Sequence, residues 1–177
     1  MSPCPVIVTE LPISVRPATW TPPVFPAQPA ILEAGCGAGF SARYLEGRFG
    51  RFLGIDYADK LVQCARENNA VADASFETAN IKQLDLGETF DAVVMIGVLH
   101  HLDDMPAAMT QLVRVLKPGG WLLANEPQPG NPLVRAARAL RKRLDGDYSD
   151  EQDQLSAAQL KALYRDAGLG DVRCVPQ

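Results

Sequence analysis

The stretch Glu33-Ala34-Gly35-Cys36-Gly37-Ala38-Gly39 combines one acid with three alternating glycines. Glycine permits a tight turn and lets a ligand approach the backbone closely. Where such a turn leads from a strand into a helix, the free amides of the first helical turn favour negatively charged groups. Asp56 lies seventeen residues after Gly39, at the end of the run Arg51 to Ile55. A carboxylate there can accept two hydrogen bonds from ribose hydroxyls. Turn and acid together point to an adenosine-bearing cofactor bound at the carboxyl ends of the first strands. The glycine spacing is G-x-G-x-G, whereas dinucleotide enzymes use G-x-G-x-x-G. Glu33 would also sit poorly beside a pyrophosphate, while an acid is well matched to an ammonium group. A nicotinamide-dependent dehydrogenase is therefore disfavoured.

Alternating strands and helices must hold these residues. Ala30 to Glu33 reads as a short strand running into the glycine turn, and Phe40 to Phe49 as the helix that follows. Arg51 to Ile55 is a second strand. Asp59 to Asn68 is a helix with Leu61, Val62 and Ala65 on one face. Ser75 to Thr78 is a third strand. Phe90 to Ile96 is a fourth, and its continuous apolar run fits a central parallel strand covered on both faces. Asp103 or Asp104 can cap a helix that reaches about Leu116, where Lys117-Pro118-Gly119-Gly120 stops it. Trp121 to Asn125 is a fifth strand and Asp171 to Val175 a sixth. Between them lie an amphipathic basic helix, Pro132 to Leu144, and a helix over Ser156 to Ala167 that opens with a capping box, Ser156-x-x-Gln159. The alternation predicts a doubly wound, mostly parallel α/β sheet of Rossmann-like type with helices on both faces.

Residues 1–29 differ from the rest. They hold eight of the fourteen prolines, which remove amide donors and discourage helix, so this segment is expected to be an extended arm preceding a domain over 30–177. Val6 to Thr9 and Ile13 to Val15 are at most short edge strands. The length fits one domain. The formal charge of -4 argues against general binding to nucleic-acid phosphates. No apolar run approaches the ~18 residues needed to span a bilayer. The N-terminus lacks the positive region of a secretory signal. With only two histidines and no CxxC among Cys4, Cys36, Cys64 and Cys174, no metal site is expected. The thiols read as reduced, in a cytoplasmic protein.

Four stretches, in order, resemble a class I S-adenosylmethionine-dependent methyltransferase of the small-molecule, type 11/12-like kind. Ile31 to Gly39 resembles the first motif, and Phe52-Leu53-Gly54-Ile55-Asp56-Tyr57-Ala58 the ribose-binding second strand. Phe90 to Leu102 resembles the fourth strand with its following loop. Leu116-Lys117-Pro118-Gly119-Gly120-Trp121-Leu122-Leu123 resembles the fifth-strand motif. The resemblance covers about residues 30–126, and more loosely extends to 175.

That resemblance implies S-adenosylmethionine as cofactor and S-adenosylhomocysteine as product. Gly35 and Gly37 would line the methionine part, with Glu33 near its amino group and Cys36 packed inside the turn. Asp56 would hold the ribose hydroxyls and Tyr57 would lie against the adenine. Asn80 stands where the family often has an acid that meets the adenine amino group. Ile81 would pack on the ring, and Ile96 would offer a backbone carbonyl at the end of the fourth strand. His100 and His101 follow that strand, beside the place where the methyl group would be presented. Histidine is the usual group for removing a proton near neutral pH, and His101 is the first choice of base. Capping or packing would equally explain either ring.

The implied activity is methyl transfer to O, N or C of a small molecule. No Asn/Asp-Pro-Pro-aromatic signature follows the fourth strand, which argues against methylation of nucleic-acid bases. Two features depart from the family pattern. The arm does not resemble the helices that usually cover the site, and no residues remain for the antiparallel seventh strand. Either the chain is truncated, or a second copy or another partner completes that edge. The competing reading that follows is a catalytically inactive S-adenosylmethionine-binding module that supports a partner protein. Pro127 to Asp153 is where such enzymes often place substrate lids.

Overall fold

The computed structural model describes residues 6–9, 24–126 and 155–175. The strands are β1 (Val6–Thr9), β2 (Ala30–Ala34), β3 (Arg51–Asp56), β4 (Ala74–Thr78), β5 (Phe90–Ile96), β6 (Leu116–Asn125) and β7 (Val172–Val175). The helices are α1 (Phe40–Tyr44), α2 (Asp59–Asn68), α3 (Met105–Arg114) and α4 (Ala157–Asp166). Single 3-10 turns cover Ile81–Gln83 and Leu99–His101. The strands form one sheet in the order β4-β3-β2-β5-β6-β1-β7, and every pairing is parallel. The order reverses between β2 and β5, which is where open α/β sheets leave a crevice at their carboxyl ends.

Helices cover both faces, as a parallel sheet requires. On one face α3 and α4 bury Met109, Leu112, Leu160 and Tyr164 against Leu32, Leu53, Val93 and Leu122. On the other, α1 and α2 bury Ala42, Val62 and Ala65 with Phe49, Phe52 and Phe76. Leu61 does not join its expected face and is 43% exposed, because it lies one helical step away from the stripe that Val62 and Ala65 share. Asp104 caps α3 through a 3.0 Å bond from Ala107 N–H, and Ser156 with Gln159 forms the expected capping box on α4.

Three departures carry physical reasons. Helix α1 ends at Tyr44 rather than Phe49, and Gly47 follows in a left-handed conformation at φ 74°. Lys117-Pro118-Gly119-Gly120 is not a plain helix stop. Phe90 pairs with Leu116 and Ala92 with Trp121, so these four residues bulge from the ladder at the start of β6.

The third departure concerns the arm. Val6–Thr9 is not an edge strand. It lies inside the sheet between β6 and β7, parallel to both, with Val6 opposite Leu122 on one side and Val172 on the other. The slot expected to stand open for want of an antiparallel strand is therefore filled by the chain's own N-terminal segment, and the division at residue 29/30 cuts through the sheet. A partner is not needed to complete that position. The expected strand over Ile13 to Val15, the basic helix over Pro132 to Leu144 and most of the segment Pro127 to Asp153 lie outside the described residues.

Candidate functional site

A cleft of about 560 Å³ opens at the carboxyl ends of β2, β3 and β5. Of the residues singled out in the sequence, Gly35, Asp56, Tyr57, Asn80, Ile81, Ile96 and His101 line it. Glu33, Cys36, Gly37 and His100 are not among its lining residues. Lys82, Gly97, Val98, Leu102 and Asp103 complete the lining, and Lys82 Nζ meets Asp103 Oδ1 at 2.9 Å on the rim.

The glycine turn is tied to the end of β3. Gly35 and Cys36 N–H both donate to the Ile55 carbonyl, at 2.8 and 2.9 Å. Gly37 N–H donates to Asp56 Oδ2 at 2.9 Å, and Ala58 N–H donates to Oδ1 at 2.9 Å. Asp56 is thus buried but oriented, with one backbone bond on each oxygen. A carboxylate offers about four lone-pair sites, so acceptor capacity remains on the cleft side. A Cβ on Gly37 would meet nothing within 4 Å, so this stretch of the turn presents open backbone.

Glu33 is 3% exposed. Ser41 Oγ donates to its Oε1 at 2.5 Å, while Oε2 has no hydrogen-bond partner among the described residues. Burial pushes the Glu33 carboxyl up to about 7, the Ser41 bond opposes this, and the nearby Asp56 charge adds to it. Burial likewise drives the Cys36 thiol up to about 12, with Glu33 and Asp56 contributing. Cys36 therefore stays a protonated packing residue and not a nucleophile.

The adenine-side candidates differ in exposure. Tyr57 is 84% and Ile96 52% exposed, whereas Ile81 is buried. The Asn80 side chain is already engaged, because its Oδ1 accepts from Lys82 N–H at 3.0 Å and caps the 3-10 turn.

The two histidines are not equivalent. His101 faces the cleft, and no hydrogen bond of its side chain is found among the described residues. His100 Nδ1 lies 2.8 Å from Glu126 Oε2, and its ring packs on that of His101 with centroids 4.0 Å apart. Glu126 Oε1 accepts from both Val98 N–H at 2.9 Å and Leu99 N–H at 2.8 Å. Sequence reasoning missed Glu126. Its signal was a buried acid one residue past the strand that ends at Asn125, near the same sheet end at which Asp56 closes β3.

The residues present fit S-adenosylmethionine, on observations of this structure alone. A buried acid with an orphaned oxygen calls for a cationic partner, and the ammonium of an amino acid is one. A second acid, Asp56, is oriented by backbone amides and borders a cleft roomy enough for a nucleoside.

The chain matches the family described as methyltransferase domain over residues 32–124. It is 29% identical over 149 residues to the ubiquinone biosynthesis O-methyltransferase of Neisseria meningitidis, covering 78% of this chain and 63% of that one. It is 29% identical over 113 residues to a fatty-acid O-methyltransferase of Mycolicibacterium smegmatis, covering 62% and 41%. The chain thus spans less than two thirds of the length of these relatives. Its fold is similar to the crystal structure of an S-adenosylmethionine-dependent methyltransferase from Mesorhizobium loti, with a TM-score of 0.63 at 20% identity over 81% of this chain and 76% of the other.

Proposed function

Given that the chain belongs to the methyltransferase domain family, we propose that it transfers a methyl group from S-adenosylmethionine to O, N or C of a small-molecule acceptor. The observation that carries this reading is the pair of acids around the glycine turn. Asp56 is oriented by Gly37 and Ala58 N–H, and Glu33 is buried with one oxygen unpartnered. In this reading Glu33 faces the ammonium of the cofactor, Gly35, Cys36 and Gly37 line its methionine part, and Asp56 takes the ribose hydroxyls. Tyr57, Asn80, Ile81 and Ile96 border the adenine. Asn80 has one oxygen lone pair committed to its cap, so its contribution to adenine selectivity is smaller than that of an acid.

The bound cofactor supplies an activated methyl group on a positively charged sulfur, and this charge is lost on transfer. What the chain must do is align an in-line displacement and exclude water. The turn at Gly97 to Leu99, in which Val98 and Leu99 are buried, and the apolar Ile81 and Ile96 suit that role. His101 stands in the cleft where an acceptor would enter and His100 directly behind it.

Both named relatives are O-methyltransferases, so hydroxyl and carboxyl compounds are the first acceptors to assay. The alternative of an inactive cofactor-binding module drew on an open slot in the sheet, and Val6–Thr9 now fills that slot. A cytoplasmic location belongs to the same reading, supported by the free thiols Cys36 and Cys64. Among the described residues no helix is long and apolar enough to cross a membrane. Calorimetry with S-adenosylmethionine, S-adenosylhomocysteine and NAD, followed by labelled-methyl turnover on an acceptor panel, tests the proposal. Binding of NAD alone would overturn it.

A further inference from the structure

Resting on that reading, we propose that Ser41 is a positioning residue for the amino-acid tail of the cofactor. It holds one oxygen of Glu33 so that the other stays free for the ammonium, and it thereby makes the site prefer an adenosine thioether that carries this tail over one that lacks it. Ser41 stands outside Ile31 to Gly39, the stretch that resembles the family's first motif, so that resemblance does not imply the role.

The Glu33 backbone is fixed by the sheet. It lies in β2 opposite Gly54 of β3 on one side and Val94 of β5 on the other, so the carboxyl can be re-aimed only by rotation within the side chain. Strand alternation puts this side chain on the face of Ile31, which shares a buried cluster with Ala42 of α1. Ser41, the neighbour of Ala42, donates from Oγ to Glu33 Oε1 at 2.5 Å. This is the one side-chain bond of Glu33 found among the described residues, and Oε2 is buried without a partner there. One oxygen is therefore held, and the other is left for a cation such as an ammonium, which would meet it in a charge-assisted bond.

The surroundings otherwise oppose the charge. Burial and Asp56, at the end of β3, push the Glu33 carboxyl toward its protonated form, and among the described residues Ser41 alone pulls the other way. Cys36, in the glycine turn, stays a protonated thiol, and Val94 on β5 is apolar. Without the hydroxyl both carboxyl oxygens would be buried without a donor. The group would then take up a proton or turn toward another donor, and either change weakens its grip on an ammonium. The nucleoside end of the ligand is served separately, because Asp56 is oriented by Gly37 and Ala58 N–H and not by Ser41. Ser41 thus governs selectivity for the tail and not binding in general.

The test is calorimetry on the full chain with two ligands. S-adenosylhomocysteine carries the ammonium tail, whereas 5′-methylthioadenosine keeps the nucleoside and the thioether without it. Ser41→Ala should weaken S-adenosylhomocysteine about tenfold at pH 7 and move 5′-methylthioadenosine by less than about twofold, the scale of one hydrogen bond to a charged group. A merely structural residue would weaken both ligands alike. Ser41→Thr keeps the hydroxyl donor and should return S-adenosylhomocysteine to within about threefold of wild type. In a Glu33→Gln background Ser41→Ala should add less than about twofold, since its effect runs through the carboxylate. Equal losses for the two ligands, unchanged affinity in Ser41→Ala, no rescue by Ser41→Thr, or additive losses in the double variant would overturn the role of Ser41 and leave the methyltransferase reading standing. A wild type that binds both ligands equally well removes the Glu33–ammonium contact on which the proposal rests. A wild type that binds neither removes the cofactor reading as well.

Discussion

Val98 occupies the space in which a side chain on Gly35 would have to lie: a Cβ there would stand 2.5 Å from Val98 Cγ2, on a backbone with φ 78°. The Val98 backbone is held in place by the bond from its N–H to buried Glu126. The glycine turn and the turn after β5 are therefore one packed unit across the sheet's switch point. Gly35→Ala should cost about 2–3 kcal/mol in denaturant unfolding, combining overpacking with an unfavourable φ, and should weaken cofactor binding at least about tenfold. Gly37→Ala meets no neighbour, so only its φ of 51° is strained and about 1 kcal/mol is expected. Equal costs for the two would mean that the Val98 contact does not govern Gly35.

Asp56 carries two duties that one substitution confuses. It holds Gly37 and Ala58 N–H, and it faces the cleft. Asp56→Ala should reduce cofactor affinity by about 1.5–3 kcal/mol, the range for hydrogen bonds to a charged group, and should also destabilise the free protein. Asp56→Asn keeps one acceptor oxygen, so most of the stability should return while affinity stays reduced. Parallel calorimetry and unfolding of both variants separate the two duties. Affinity that recovers in step with stability would deny Asp56 a direct contact.

Glu33 predicts a pH dependence whose sign follows from its environment. Its folded carboxyl titrates at about 7 against an ordinary value near 4.5, chiefly because burial disfavours the charge. The folded state thus binds more protons than the unfolded chain between these values, and stability falls as pH rises through that window. At about 1.4 kcal/mol per unit, the full penalty is roughly 3 kcal/mol above pH 7 and vanishes below pH 4.5. Glu33→Gln should therefore stabilise the free protein at pH 8 relative to wild type and change little at pH 4.5. The cofactor effect runs the other way. An ammonium favours the ionised acid, so wild-type affinity should climb between pH 6 and 8, and that climb should disappear in Glu33→Gln. A flat wild-type affinity across this range would place the ammonium elsewhere.

The parts of the site that the sequence disclosed are those carried by local patterns. Apolar runs marked β3 and β5 to within a residue, the alternating glycines marked the turn, and Asp56 was visible because an acid seldom closes a buried strand without a reason. Glu126 obeys the same rule but was hidden, since its partners Val98, Leu99 and His100 are more than twenty-five residues away and only the adjacency of β5 and β6 unites them. The inequality of His100 and His101 was hidden for the same reason. Asn80 offered two roles on sequence, and the local cap to Lys82 engages its oxygen. The position of Val6–Thr9 was the least legible feature, because proline-rich flanks suggest an arm and strand pairing between residues 8 and 124 has no local signature.

That strand yields the last prediction. Val6, Ile7 and Val8 pair with Leu122, Leu123 and Ala124, and Val6 to Thr9 pair with Val172 to Val175. Among the described residues β7 has no other strand neighbour in the sheet order, so its ladder bonds run to β1. Removing residues 1–10 should cost on the order of 3–5 kcal/mol, the sum of several backbone bonds at about 1 kcal/mol each. The loss should be uneven. Amide hydrogen exchange over Val172 to Val175 should accelerate by at least about 100-fold, while Leu32, Leu53 and Val93, three or more strands away from β7, keep most of their protection. A peptide of residues 1–12 added in trans should restore protection in a concentration-dependent way, since the slot it fills is flanked by β6 and β7, parallel on both sides. Unaltered exchange at Val172 to Val175 in the shortened chain would mean that β7 is held by α4 and not by the N-terminal strand.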